Sequence, residues 1–196
     1  MKKITFYLGC IFLLGILIQA KNAQAAEINL ADLQKAAEQG DSVAQYNLGR
    51  LYADGVSVPQ HDRNAVEWWQ KAANQGQVNA QAGLGMMYAS GRGVPKDTQM
   101  ALEWFRKAAE QGHWGAQYNL GQAYAYGLGV PENAHNALAW WEKAAEQGHA
   151  QAQHNVGLIY VYGIGGVPKD DNKGLEWLKK AEAQGVRWDI YNPRFK

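Results

Sequence analysis

QVNAQAGLGMMYASGRGVPKDTQMALEWFRKAAEQG, residues 77–112, decides how the rest of the chain is read. The 36 residues before it, Asp41 to Gly76, and the 36 after it, His113 to Gly148, keep the same residue types in the same order. His149 to Gly185 does so again, one residue longer through the extra glycine in Ile164-Gly165-Gly166-Val167. A partial unit, Asp32 to Gly40, precedes them and carries the ending Lys35-Ala36-Ala37-Glu38-Gln39-Gly40. Leu48-Gly49, Leu84-Gly85, Leu120-Gly121 and Val156-Gly157 stand in register. So do Tyr52, Tyr88, Tyr124 and Tyr160, and the four Val-Pro pairs that begin at Val58, Val94, Val130 and Val167. Trp68, Trp104, Trp140 and Trp177 align as well, each followed by a large apolar residue. Self-similarity at a fixed period of about 20–50 residues marks a stacked repeat architecture.

Each unit reads as two helices. Ala44, Leu48, Leu51 and Tyr52 recur at i, i+4, i+7 and i+8, one face of the first. Asp54-Gly55 ends it, and the Val-Pro turn cannot continue it. Ala65, Trp68, Trp69, Ala72 and Ala73 form the apolar face of the second, which Gly76 closes. On its wet side Glu67–Lys71, Glu103–Lys107 and Glu176–Lys180 are spaced as i, i+4 ion pairs, worth about 0.2–0.5 kcal/mol each. Gly49 and Ala72 allow close helix approach, while Trp69 and Tyr52 fill the space between layers. One such hairpin cannot bury its apolar face, but a stack can. The expected fold is therefore all-α: one right-handed superhelical solenoid of antiparallel helix pairs. It comprises four full repeats (41–76, 77–112, 113–148, 149–185), a partial N-terminal repeat and a C-terminal cap. In that cap Trp188, Tyr191 and Phe195 are expected to cover the last apolar layer.

The pattern A-x-x-x-L-G-x-x-Y, then G-x-G-V-P, then A-x-x-W-W-x-K-A-A-x-Q-G resembles the Sel1-like repeat family, a relative of the tetratricopeptide repeats. The resemblance covers Asp32 to Gly185. It implies a helix-pair solenoid that acts as a protein-interaction scaffold. Two departures, Ser57 in place of the second turn glycine and the extra glycine of the fourth unit, fall in turns and should leave the stack intact.

Residues 1–25 read as a secretory signal peptide, leaving 26–196 for the solenoid. Lys2 and Lys3 precede a mostly apolar stretch from Ile4 to Ala20, and Ala23-Gln24-Ala25 suits a signal peptidase. The alternative is an uncleaved membrane anchor, since the stretch is just long enough to span a bilayer. Cys10 is the only cysteine, and it lies before most of the apolar core, which does not fit lipidation. A chain cleaved after Ala25 has no thiol, hence no disulfide, no thiolate metal site and no cysteine nucleophile. The segment is of bacterial style, so the periplasm or the outside of the cell is expected. Nineteen Lys+Arg oppose 18 Asp+Glu, which gives no pull toward nucleic acid or anionic lipid. Membrane contact is expected only through the first segment, if uncleaved.

Little in the sequence points to chemistry. Some secreted relatives of the resembled family are described as β-lactamases or penicillin binders, but those are cysteine-rich. Here the Ser/Thr nucleophiles of the mature chain are Ser42, Ser57, Ser90 and Thr98, and none of the serines begins an S-x-x-K motif. A non-enzyme without cofactor or metal is expected. Gly91-Arg92-Gly93 and Gly127-Leu128-Gly129 precede Val-Pro and follow no strand, so they are turns and not phosphate loops. His113 and His149 share one repeat position with no recurring carboxylate beside them, and read as exposed helix-start residues. Trp69, Phe105 and Trp141 read as core, and the first residue of each aromatic pair as lying partly on the outer face.

By resemblance to helix-pair solenoids, a partner should meet the concave face lined by the first helix of each unit. Tyr46, Asn47 and Arg50 occupy it in the first unit, and Ala82 and Met86 in the second. Tyr118, Asn119, Gln122 and Tyr126 follow in the third, then His154, Asn155, Leu158 and Tyr162 in the fourth. These positions vary between repeats, as a binding surface can and a packed layer cannot. Tyrosine offers wide contact with a polar tip, and asparagine can pair with an extended backbone. A protein or peptide of the cell envelope is the expected partner, centred on Tyr118, Asn119, Tyr126, His154 and Tyr162. The Asn and Tyr residues as mere structural features, a glycan-binding module and a β-lactam-hydrolysing enzyme are the other readings.

Overall fold

In the computed structural model, which describes residues 30–187, regular structure is helical and no strand occurs among the described residues. The signal-peptide reading of residues 1–25 and the cap expected from Trp188, Tyr191 and Phe195 lie outside that range. A helical stretch at 30–38 (α1) leads into α2 (Ser42–Asp54) and α3 (Asp62–Asn74). Then come α4 (Val78–Ser90), α5 (Thr98–Glu110), α6 (Trp114–Tyr126), α7 (Ala134–Glu146), α8 (Ala150–Tyr162) and α9 (Asp171–Glu182). A 3-10 turn, Ile164–Gly166, precedes α9. Helices α2/α3, α4/α5, α6/α7 and α8/α9 form the pairs, and α3/α4, α5/α6 and α7/α8 join one pair to the next. Among the described residues no helix is long and apolar enough to cross a membrane.

The first helix of each pair starts where a side chain takes a free backbone N–H. Asp41 accepts from Ala44 N at 2.7 Å and Gln77 from Ala80 N at 2.6 Å. His113 Nδ1 accepts from Ala116 N at 3.1 Å, and His149 Nδ1 from Ala152 N at 3.0 Å. The recurring histidines are therefore helix caps. They are half-buried, not exposed as their position suggested.

Within a pair, the Leu-Gly glycine seats the second residue of the tryptophan pair. A Cβ on Gly49 would lie 2.5 Å from Trp69 Cδ1, and one on Gly85 would lie 2.5 Å from Phe105 Cδ1. Gly121 stands in the same way against Trp141, and Gly157 against Leu178. The four seated side chains are buried. The indole N–H of Trp69 donates to Tyr46 O at 3.0 Å, and that of Trp141 to Tyr118 O at 3.1 Å. The first residue of each pair is half-buried, except Trp104, which is buried. Lys71, Lys107, Lys143 and Lys180 place their ammonium groups 3.8–4.3 Å from the ring centres of Trp68, Trp104, Trp140 and Trp177. The lysines thus face an indole one turn back, where ring quadrupole and desolvated stem both favour them. The expected i, i+4 partners Glu67, Glu103 and Glu176 do not hold them. Ion pairs among the described residues join Asp62–Arg92, Asp171–Lys169 and Glu142–Lys173 instead.

Between pairs, a buried glutamine makes the link. Gln45, Gln81, Gln117 and Gln153 are only 4–5% exposed. Their amides donate to Ala37 O, Ala73 O, Ala109 O and Ala145 O at 3.0–3.2 Å, each carbonyl lying in the last turn of the helix before. Their oxygens accept from Gln75, Gln111, Gln147 and Gln184 at 2.7–2.8 Å. Every repeat thus carries two glutamines in relay, and both ends of the buried amide are satisfied. Replacing Gln117 with leucine keeps the volume but removes two hydrogen bonds, the one to Ala109 O, which keeps Gly112 N, and the one from the Gln147 amide, which keeps Gly112 O. We expect a loss of about 1–3 kcal/mol, read as a lower urea midpoint at unchanged slope.

The two turn departures also have a structural account. Gly93 has φ +71°, and a Cβ there would lie 2.5 Å from Asp62 O of the preceding pair. Ser57 holds φ +66° in the first unit and stays exposed, with no full pair before it. Ser57→Gly should therefore stabilise the fold by about 0.5–1 kcal/mol, the left-handed strain less the entropy of glycine. Gly93→Ser should destabilise it by more than about 2 kcal/mol, since strain and clash add. Thermal melts of the two variants should move in opposite directions.

Candidate functional site

The first helices α2, α4, α6 and α8 repeat an i, i+4 row of side chains along one face. Neighbouring rows touch: α4 meets α6 directly, and Asn119 Nδ2 reaches Met86 Sδ at 3.5 Å. The rows differ in character. On α2, Tyr46 is half-buried against Trp69 (ring centres 6.4 Å apart), Asn47 is half-buried and Arg50 is exposed. On α4, Met86 is exposed, but Ala82 is buried and offers nothing to a partner. Leu158 on α8 is likewise buried, contrary to its expected place on the face.

The row on α6 is aromatic at three of its four positions. Trp114, Tyr118, Gln122 and Tyr126 follow at intervals of four. Trp114 is 51% exposed and Tyr126 48% exposed. The His149 ring, from the turn before α8, lies 4.8 Å from Trp114 and 4.4 Å from Tyr118. Gln122 Nε2 donates to the Tyr118 hydroxyl at 3.3 Å, and Asn155 of α8 also hydrogen-bonds that phenol. Burial, with a smaller contribution from Tyr126, pushes the Tyr118 phenol up, and the Asn155 bond opposes this. Tyr118, Gln122 and Asn155 are thus joined directly, with Tyr126 at their edge. His154 is half-buried, its Nδ1 lacks a hydrogen-bond partner among the described residues, and burial lowers its pKa. Tyr162 is exposed at the end of α8. Trp114 is the member that the sequence reading missed. Its signal was substitution at one repeat position, where Ser42, Val78 and Ala150 stand elsewhere.

A cleft of about 660 Å³ opens beyond Tyr126, between the end of α6, the start of α7 and the turn after α8. Tyr126, Tyr162, Trp141, Ile159, Ala134 and Glu132 line it. Ties cross the corresponding place at the two earlier junctions. Arg92 Nη2 lies 2.6 Å from Asp62 Oδ1 and 3.4 Å from Ala53 O, and Gln99 Nε2 donates to Gly129 O at 2.8 Å. The Arg92 guanidinium, chiefly by its hydrogen bond, holds the Asp62 carboxyl below the usual carboxylate range. At the third junction Ala134 stands where Asp62 stands in the first, and a Cβ on Gly165 would fall on that of Ala134. Among the described residues there is no group of three or more His, Cys, Asp or Glu placed to hold a metal ion.

The Sel1 repeat model matches residues 33–41, 42–77, 78–113, 114–149 and 150–186. The chain belongs to the Sel1 repeat family. Among solved structures, a Sel1 repeat protein from Oxalobacter formigenes is 40% identical with a TM-score of 0.75, over 80% of this chain and 46% of that one. A protective antigen of uropathogenic Escherichia coli strains, displaying an SLR fold, is 41% identical with a TM-score of 0.75, over 78% of this chain and 32% of that one. This Sel1 repeat chain therefore spans less than half the length of either relative. Helicobacter pylori cysteine rich protein B is 27% identical with a TM-score of 0.50, over 63% of this chain and 93% of that one. No match was found among curated proteins. The Sel1 repeat fold is a protein-interaction scaffold type.

The capping histidines give this Sel1 repeat array a pH dependence. Burial lowers the pKa of His113 and His149 from the ordinary 6.5, and at His113 a backbone hydrogen bond partly opposes it. Their Nδ1 lone pairs are occupied by Ala116 and Ala152, so protonation there also removes the cap. The unfolded chain takes up these protons first as pH falls. Stability is thus fully present above pH 6.5 and is lost as pH falls through the lowered folded-state values. Urea midpoints measured from pH 8 to 5 should fall for the wild type. In a His113→Asn, His149→Asn double variant, which keeps a capping oxygen, this part of the decline should be gone.

Proposed function

We propose that this protein is a non-catalytic scaffold of the cell envelope that binds a peptide or protein segment on the concave face of its first helices. The observation that carries the reading is the α6 row, Trp114, Tyr118, Gln122 and Tyr126, which repeats in no other helix. Core positions are occupied alike in every unit, so packing alone does not call for aromatics here. Exposed Trp and Tyr supply rigid contact area at low entropic cost. The amides of Asn119, Gln122 and Asn155 beside them suit the N–H and C=O groups of an extended segment. The residues on the exposed rows of α6 and α8 carry no Asp, Glu, Lys or Arg, so contact along them is apolar and hydrogen-bonding and not ionic. Export to the periplasm or beyond follows from the reading of residues 1–25. The hydroxyls fit a binding role better than an acyl-transfer one: Ser90 Oγ, for example, donates to Met86 O at 2.7 Å within its own helix.

A second reading, binding of a cell-wall glycan, draws on Trp114. Its indole borders a shallow hollow of about 390 Å³ with Gln147, Gln151 and His149, a platform suited to a sugar ring. Capture with the immobilised chain, from envelope proteins in one arm and from peptidoglycan in the other, separates the two. We expect a protein to be retained. The double variant Tyr118→Ala, Tyr126→Ala should keep its helical circular dichroism and lose that protein. Undiminished capture by the variant would overturn the assignment.

A further inference from the structure

We propose that the cleft between α6, α7 and α8 is a socket for the guanidinium of an arginine side chain supplied by the bound segment. The chain carries its own template for this contact. At the first junction the Arg92 guanidinium reaches from the turn after α4 to the Asp62 carboxylate and to Ala53 O. At the third junction Ala125 and Ala134 hold the positions of Ala53 and Asp62, and both line the open cleft. The turn after α8 brings Ile164 and glycines where the turn after α4 brings Arg92, so this turn sends no cation into the cleft. The carboxylate has moved by two residues: Glu132, in the place of Gln60, lines the cleft.

The chemistry of the walls favours the same guest. Glu132 makes no ion pair or hydrogen bond with another described residue. Tyr126 and Tyr162 stand on the same cleft, with Trp141 and Ile159 also in its wall. Aromatic faces with one carboxylate attract a planar cation, and a bidentate carboxylate contact suits guanidinium better than ammonium. Among the described residues no Lys or Arg lines the cleft; Lys169 in the adjoining turn is 3.2 Å from Asp171. An anionic guest would meet Glu132 with nothing to offset it. The cleft falls within the range of about 300–1,000 Å³ typical of ligand pockets, so a long side chain fits with its stem against Ile159. Tyr126 belongs both to the cleft and to the α6 row, so a segment lying on that row can place one side chain in the socket. The proposal thus deepens the peptide-binding reading and rests on it for the route of entry.

The test titrates the chain with N-acetyl-arginine methylamide, its neutral isostere N-acetyl-citrulline methylamide, and chitotriose, following the cleft by tryptophan fluorescence and NMR. The arginine probe should bind about ten-fold more tightly than the citrulline probe. Glu132→Gln, a change in an exposed turn, should erase that preference without altering the circular dichroism. Tyr162→Ala should weaken the arginine probe several-fold. Equal binding of the two probes, an unchanged preference in Glu132→Gln, or tighter binding of chitotriose overturns the socket. Tyr118→Ala separates this outcome from failure of the broader reading, because Tyr118 does not line the cleft. Partner capture that ignores Tyr118→Ala refutes the concave-face reading even where the arginine preference stands. Capture that depends on Tyr118 with no arginine preference refutes the socket alone.

Discussion

Each helix pair is fixed to the one before it by a glutamine amide buried at the end of a helix. Gln81 reaching Ala73 O, and its three counterparts, place a directional bond inside an otherwise apolar junction. Apolar contact is non-directional, and stacked alanines such as Ala72, Ala80, Ala108 and Ala116 would allow neighbouring pairs to slide. The amide allows one register, because any other leaves a buried donor and acceptor unmatched. Gln75 and its counterparts then donate to the amide oxygen, so the polar cost of the junction is met within the repeat itself. Within a pair, glycine against tryptophan or its substitute sets the spacing. The amide and the glycine together fix the frame on which every exposed side chain is displayed.

The fold was legible because its determinants recur. Leu-Gly, Val-Pro and Gln-Gly at one spacing identify helix pairs, their ends and their stacking. The glutamines that hold the junctions were read past, because a polar residue beside alanine on a helix counts as wet until its partner in the next unit is seen. The lysines misled for a related reason. Spacing offers Lys71 both Glu67 and Trp68, and the choice of the indole depends on its half-buried face, which a sequence does not display. At the candidate site, Gln122 and Tyr126 stand out by differing between repeats, Tyr118 recurs only as Tyr46 and Asn155 only as Asn47 and Asn119, and the structure brings the four together. Trp114 obeyed the same rule but sat at a helix start, outside the stretch taken as the face. The cleft is marked in the sequence only by Ala134 and Ile164 in the places of Asp62 and Arg92, and that pair has meaning only once the units are stacked. Ala134 and Gly165, about 30 residues apart, pack closely in its wall.

Repeating and non-repeating positions divide the labour cleanly. His149 is an exception that serves both, since it caps α8 and also fills the gap between Trp114 and Tyr118. A residue so placed couples the ordering of a helix start to the shape of the exposed face. Side chains at that face are held by the core behind them: Tyr118 gives its carbonyl to Trp141 while presenting its ring forward. The surface is therefore pre-organised, which lowers the entropy lost when a partner is bound.

The glutamine relay also has a bearing on length. Each link runs from one unit to its neighbour and never skips one, so the set of bonds is closed under removal or duplication of a whole unit. A deletion of 36 residues in register would rejoin a donor to an equivalent acceptor, whereas a change of one or two residues has to be absorbed where no link passes. The extra glycine of the fourth unit sits in such a place, in the turn at Ile164–Gly166. Array length is in this sense a free variable, quantised in repeats, and the cost of altering it falls on the displayed face and not on the frame.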